Sequence, residues 1–288
     1  LNGIKITCNG GRKQKMKILI LGKNGMLGCA LRKVFKNSIC FNKGELDITN
    51  RKNVMKKVLE IKPDFVINAA AYTDVDGSEK NKDIAFKTNG EALKYLSEAC
   101  RKSGSALIHM STDYVFDGES KIGYTEDSKI NPINLYGKSK AKGEYYIKKS
   151  MKKFYIIRTS WMFGEKGRNF VSTIISLGKW RKVLNVVDDQ KGIPTYAYDL
   201  ARVIKKIIYD KKPYGIYHVT NGGVCTWFDF AKKIVEYAGL KTKVYPMKSD
   251  KLRRDAKRPK NSVLVNTKLD YKIRSWKPAL KHYIDSIH

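Results

Sequence analysis

"KILILGKNGMLG", Lys17 to Gly28, decides how the rest of the chain is read. An apolar run ends in Gly22, Gly25 and Gly28 at GxxGxxG spacing, and a helical pattern starts at Met26. Glycines at such a turn let the backbone approach a ligand closely. A helix that starts there offers free amides and a favourable dipole to a pyrophosphate. A glycine triplet also suits an ordinary strand-to-helix turn, so its surroundings must decide. From Met16 onward, short runs such as "SICFN", "DFVINAA", "SALIHMST" and "FYIIRTS" alternate with amphipathic stretches, one of them a helix predicted across "DIAFKTNGEALKYLSEACRKSG". This alternation predicts a parallel sheet with helical crossovers.

The expected architecture is therefore α/β: a Rossmann-like doubly wound parallel sheet with a smaller C-terminal α/β substrate-binding domain. Residues 16–160 are expected to form the NAD(P)-binding domain. Residues 161–288 are expected to form mainly the substrate-binding domain, with some segments returning to the first. Residues 1–15, "LNGIKITCNGGRKQK", have no periodicity and are expected to be an extension outside the fold.

At 288 residues and 42% hydrophobic content the chain can bury a sizeable core, which excludes a disordered or fibrous protein. Five cysteines without a CxxC or Cys/His cluster suggest neither a disulfide framework nor a zinc site, and no carboxylate cluster has metal-ligand spacing. No apolar run reaches the roughly 20 residues of a membrane span. A cytoplasmic protein with no membrane partner is expected. The 58 Lys and Arg against 27 Asp and Glu give a formal charge of +31, which taken alone raises nucleic acid or an anionic membrane as a partner. The cations are spread in pairs such as Lys56-Lys57 and Lys205-Lys206, however, and no groove-reading module is recognisable, so no specific nucleic-acid partner is expected. The dense cluster "KSDKLRRDAKRPK" (Lys248 to Lys260) better suits one specific anion.

The amides around Asn24, Gly25, Met26 and Leu27 are the expected pyrophosphate cradle. The second strand ends "FNKGELDIT", offering Asn42 and Lys43 where NAD-binding chains usually place a carboxylate for the ribose 2′-hydroxyl. NADPH is therefore expected, with NADH admissible, and Asp47 and Ile48 fall nearer the adenine. Ala69, Ala70 and Ala71 are small enough for a flat cofactor to pass close by. Thr112 ends the fourth strand at the sheet edge where such folds bind ligands. Tyr136 and Lys140 stand one helical turn apart in "LYGKSK", so the lysine charge is expected to depress the tyrosine pKa while Lys140 also holds the nicotinamide ribose. Thr112 could then bond a substrate carbonyl and Tyr136 protonate it.

In this order the glycine turn, NAAA, STD, YGKSK and RTSW resemble the extended short-chain dehydrogenase/reductases. The longer strings "NAAAYTDVD", "STDYVFDG", "LYGKSKAKGE", "RTSWMFG", "DDQKGIPTYAYDLA", "GIYHVTNGG" and "RPKNSVL" are similar to the dTDP-4-dehydrorhamnose reductase family, from Met16 to the C-terminus. The resemblance implies a catalytic triad of Thr112, Tyr136 and Lys140. It also implies a sugar pocket lined by Thr73, Val75, Tyr114 and Trp161, with Arg258 and Asn261 in a C-terminal substrate segment. It implies NAD(P)H-dependent reduction of the C4 ketone of dTDP-4-dehydro-L-rhamnose, the last step toward dTDP-L-rhamnose for surface polysaccharide. A homodimer is compatible with it. Asp74 and Gly77 depart from the family's usual residues. The competing readings are another NDP-sugar reductase, an epimerase, and a silent regulatory subunit. A dehydratase is disfavoured because Thr112-Asp113 is followed by Tyr114 where dehydratases of this fold carry glutamate.

Overall fold

The computed structural model describes residues 16–287, so the expected extension over residues 1–15 lies outside the described residues. The first half alternates β1 (Ile18–Leu21), α1 (Met26–Val34), β2 (Ile39–Phe41), α2 (Arg51–Ile61) and β3 (Phe65–Asn68). There follow α3 (Gly77–Lys80), α4 (Lys82–Phe86), α5 (Ala92–Ser103), β4 (Ala106–Thr112), α6 (Leu135–Ser150) and β5 (Phe154–Thr159). The second half runs β6 (Met162–Phe163), α7 (Phe170–Gly178), β7 (Val183–Val187), β8 (Lys191–Gly192), β9 (Thr195–Tyr196) and α8 (Ala197–Tyr209). It ends with β10 (Gly215–His218), β11 (Cys225–Thr226), α9 (Trp227–Tyr237), β12 (Lys243–Met247) and α10 (Trp276–Asp285).

Six parallel strands form the main sheet in the order β10-β5-β4-β3-β1-β2. In β1, Ile18 and Ile20 pack into the layer shared by α1 and α8, while Leu19 and Leu21 pack against residues of α2 and α5. Burial on both faces is why this strand reads as an unbroken apolar run and not an alternating one. The chain leaves β1 for β2 on one side and returns to β3 on the other. That reversal opens a crevice at the strands' carboxyl ends.

The stretch predicted as one helix from Asp83 to Gly104 is interrupted. A π-helical turn at Lys87–Glu91 separates α4 from α5. Such a turn re-aims the side chains on it, and here Asn89 is turned inward. Its amide oxygen accepts from Tyr72 N, and its nitrogen donates to Tyr72 O and Ser139 Oγ. Asn89 thus ties the segment after β3 to helix α6.

In the second half, α8 packs on α1 and β10 completes the main sheet beside β5. The remaining elements build a separate core around Phe163, Phe230 and Trp276, with β7 and β12 paired as a two-stranded parallel ribbon. Among the described residues no helix is long and apolar enough to cross a membrane.

Candidate active site

Two of the three glycines in the first turn are required by contact. Gly22 has φ 84°, and a Cβ there would lie 2.7 Å from Ala70 N. A Cβ on Gly28 would lie 2.0 Å from Gly22 O. Gly25 N–H donates to Gly22 O, and Gly25 then caps α1 without a side-chain hydrogen bond. Cys29 N–H to Gly25 O is the first bond of the helix, so the amides of Met26, Leu27 and Gly28 have no intrahelical acceptor.

This end of α1 borders a cavity of about 310 Å³ lined by Gly22, Asn24, Gly25, Asn42, Lys43, Asp47, Ile48, Ala69, Ala70 and Ala71. Every one was expected on a dinucleotide. Of the remaining candidates on the turn, Leu27 sends its side chain into the core and Met26 faces a small neighbouring gap, so neither side chain lines the cavity. The lining also includes Leu46, Tyr72, Ile84 and Thr88, which sequence reasoning missed. Ile84 and Thr88 come from α4 and the π turn, and no local motif marks them. Free amides, small alanines and a cavity at the strand-order reversal together fit a dinucleotide.

The loop after β2 does contain a carboxylate. Glu45 folds back so that its oxygens accept from Asn42 N–H at 2.8 Å and from Lys23 Nζ at 2.6 Å. The Lys23 ammonium, then the Asn42 amide, hold its carboxyl below the usual range. Lys43 lines the cavity and is exposed.

Helix α6 is fastened to β4 by residues at four-residue spacing. Tyr136 stands near Thr112, Lys140 Nζ donates to Met110 O, and Glu144 accepts from Ser111 Oγ at 2.5 Å. The Thr112 hydroxyl accepts from Tyr114 N–H and donates to Asp113 Oδ1 at 2.9 Å. Asp113 is buried, its Oδ2 has no partner, and burial pushes its carboxyl up to about 7 against the Ser262 and Thr112 hydroxyls nearby.

The expected depression of the Tyr136 pKa by Lys140 is not found. Burial first and the Asp113 carboxylate second push the Tyr136 hydroxyl up, the nearby Thr112 hydroxyl opposes them, and Lys140 is not among the groups acting on it. The physical reason is that Lys140 spends its ammonium on the Met110 carbonyl. Burial pulls its own pKa down to about 8, with Glu144 resisting. Tyr136 is thus held protonated at neutral pH, the form a proton donor needs.

The residues expected around the sugar divide into two groups. Arg258 grips Asp76 through both guanidinium nitrogens at 2.7 Å, which brings the C-terminal segment against the loop holding Thr73 and Val75. Tyr114 stands edge-on to Tyr136, ring centroids 6.1 Å apart. Trp161, at φ 45°, stacks on Trp227 at 3.5 Å and presses on Gly192, where a Cβ would lie 2.4 Å from the indole. Asn261 differs: its amide nitrogen donates to Ser120 O at 2.7 Å and its oxygen accepts from Val263 N–H, and it does not line the adjoining cavity. That cavity, about 360 Å³, is lined by Arg254, Arg258, Lys257, Lys260 and Gln190, among others.

Asp74 and Gly77 fit one another. The Asp74 carboxylate accepts from Gly77 N–H, and a Cβ on residue 77 would lie 2.3 Å from that carboxylate.

The strand order, the glycine turn and the crevice at the reversal define a Rossmann-like nucleotide-binding protein. Residues 16–288 match the family model described as RmlD substrate binding domain, and the chain belongs to that family. It is 39% identical over 289 residues to a dTDP-4-dehydrorhamnose reductase of Aggregatibacter actinomycetemcomitans, covering 92% of this chain and 97% of that protein. The crystal structure of a dTDP-4-dehydrorhamnose reductase from Clostridium acetobutylicum is similar at TM-score 0.91 and 46% identity, covering 94% of this chain and 99% of that one. That of a dTDP-4-dehydrorhamnose reductase from Bacillus anthracis in complex with NADP is similar at TM-score 0.92 and 41% identity, with the same coverage.

Proposed function

We propose that this chain reduces the C4 ketone of dTDP-4-dehydro-L-rhamnose with NADPH, giving dTDP-L-rhamnose in the cytoplasm. The observation carrying this reading is the fastening of the α6 turn that carries Tyr136 and Lys140 to the end of β4, through Lys140 Nζ on Met110 O and Ser111 Oγ on Glu144, together with a cavity whose lining suits a dinucleotide. The names of the similar proteins support it. In this reading residues 16–160 hold the cofactor, and residues 161–288 mainly hold the sugar nucleotide, with α8 and β10 returning to the sheet.

NADPH supplies the hydride. The free amides at the start of α1 hold its pyrophosphate, Asn42 and Lys43 its 2′-phosphate, and Lys140 the nicotinamide ribose. Thr112 orients the ketone oxygen, and Tyr136 delivers the proton to it. Thr73, Val75, Tyr114 and Trp161 border the sugar, and Arg258 braces the pocket wall through Asp76. Incubating the protein with NADPH and dTDP-4-dehydro-L-rhamnose, while following cofactor absorbance and product identity, tests the reading. NADPH consumption without a dTDP-L-rhamnose product would overturn it.

Two expectations follow for the cofactor. Lys43→Ala is expected to raise the KM for NADPH by about tenfold, the worth of one charge-assisted contact, and to leave that for NADH nearly unchanged. Equal effects on both cofactors would reduce Lys43 to a surface charge. Because burial holds Lys140 at about 8, its positive charge is present below that pH and lost above it. NADPH affinity is therefore expected to weaken as pH rises from 7 to 9.5, and Lys140→Met is expected to flatten this dependence in a fluorescence titration.

A further inference from the structure

An anionic surface, set aside when the cations were seen to be spread along the chain, returns at one place. Trp180 is 88% exposed, far more than a side chain of its size usually is. Its position is set by the backbone, because Trp180 and Arg181 both donate to Leu177 O at the end of α7. The next residues lead into β7, which pairs in register with β12: Val183 beside Lys243 and Asn185 beside Tyr245. Leu184 and Val186 face the core, so Val183, Lys243 and Tyr245 face outward. Lys243 N–H to Lys182 O and Thr242 Oγ1 to Arg181 O lock the two segments together.

Around this apolar centre stand Lys179, Arg181, Lys182, Lys241 and Lys243, all exposed. Neither Leu177–Val187 nor Leu240–Met247 contains a carboxylate. Among the described residues none of the five cations forms an ion pair.

We propose that this face rests on an anionic lipid surface, with Trp180, Val183 and Tyr245 at headgroup depth and the five cations on the lipid phosphates. Trp and Tyr favour that depth, and Lys and Arg stems reach past apolar surface to the charge. Clustered cations beside such anchors are attracted to acidic leaflets. Val183 opens β7, and Gln190, on the wall of the 360 Å³ cavity, lies three residues beyond its end, so the proposed face lies at the end of the strand away from that wall.

The test is co-sedimentation of the full chain with phosphatidylcholine vesicles containing or lacking phosphatidylglycerol, at physiological salt. Binding to the acidic vesicles alone is expected, falling about tenfold in Trp180→Ala and further when Lys179, Arg181, Lys182, Lys241 and Lys243 are all changed to Gln. A control removes the same number of exposed cations elsewhere, Lys52, Lys56, Lys94, Lys148 and Lys149 to Gln, and is expected to bind nearly as the wild type. Equal loss in both charge variants would reduce the effect to net charge and overturn the proposal. So would binding unaffected by Trp180→Ala, Trp180-dependent binding of single-stranded RNA in place of vesicles, or a dimer in sedimentation velocity that Trp180→Ala dissolves. NADPH affinity, expected to be unchanged in every variant, reports that the fold is intact.

Discussion

Tyr136→Phe is expected to turn over the sugar nucleotide about two to four orders of magnitude more slowly than the wild type, the usual worth of general acid catalysis. NADPH is expected to bind as before. The change deletes one hydroxyl and leaves the ring edge-on to Tyr114, so the loss reads as the missing proton and not as a collapsed pocket. Lys140→Met is expected to lower turnover and NADPH affinity together, because one ammonium braces β4 at Met110 and is assigned to the cofactor ribose. The two changes combined are expected to cost less than the sum of their separate effects. Steady-state rates for the four proteins settle the matter. Near-normal turnover in Tyr136→Phe would end the assignment, and strict additivity would make the two residues independent.

The second large effect concerns stability. Glu144 and Arg158 form a fully buried bidentate pair, Nε to Oε1 at 2.9 Å and Nη2 to Oε2 at 2.7 Å, which joins α6 to β5. The same carboxylate takes the Ser111 hydroxyl next to Thr112. Glu144→Leu strands a guanidinium in the core and is expected to cost about 3–5 kcal/mol. In a chain of this size that lowers the melting temperature on the order of 10 °C. Removing both charges in Glu144→Leu/Arg158→Met is expected to restore much of the loss, since the cost of breaking the pair lies in the uncompensated charge. Thermal unfolding of the single and double variants checks this. A double variant less stable than either single one would contradict it.

The parts of the site legible in the sequence are those written locally. The glycine turn, Ala69–Ala71 and the Tyr136–Lys140 step each lie within one strand end or one helical turn, where spacing alone sets geometry. Contacts across long sequence separation left no pattern to read. Arg258 and Asp76 stand 182 residues apart, and nothing periodic links them. Asn261 was grouped with Arg258 by motif, yet three residues on, its amide faces another loop. The Lys140 expectation missed for a related reason: helical spacing brought it near Tyr136, but a carbonyl from β4, thirty residues earlier, claimed the ammonium. Glu45 escaped notice because a fold-back of three residues, and not strand direction, decides where its carboxylate lies.

The sixth strand has a consequence for how the chain is made. One edge of β5 is covered by β10, yet β10 begins at Gly215, 56 residues after Thr159 is synthesised. Until then the nascent first half carries an open, apolar strand edge of the kind that recruits neighbouring chains. Synthesis thus passes through an interval of about three seconds at the fastest rates of translation and about eleven at the slower ones, in which that edge must be kept from pairing with the wrong strand. Slow codons between the two strands would lengthen the interval, and a chaperone that shields strand edges would protect it.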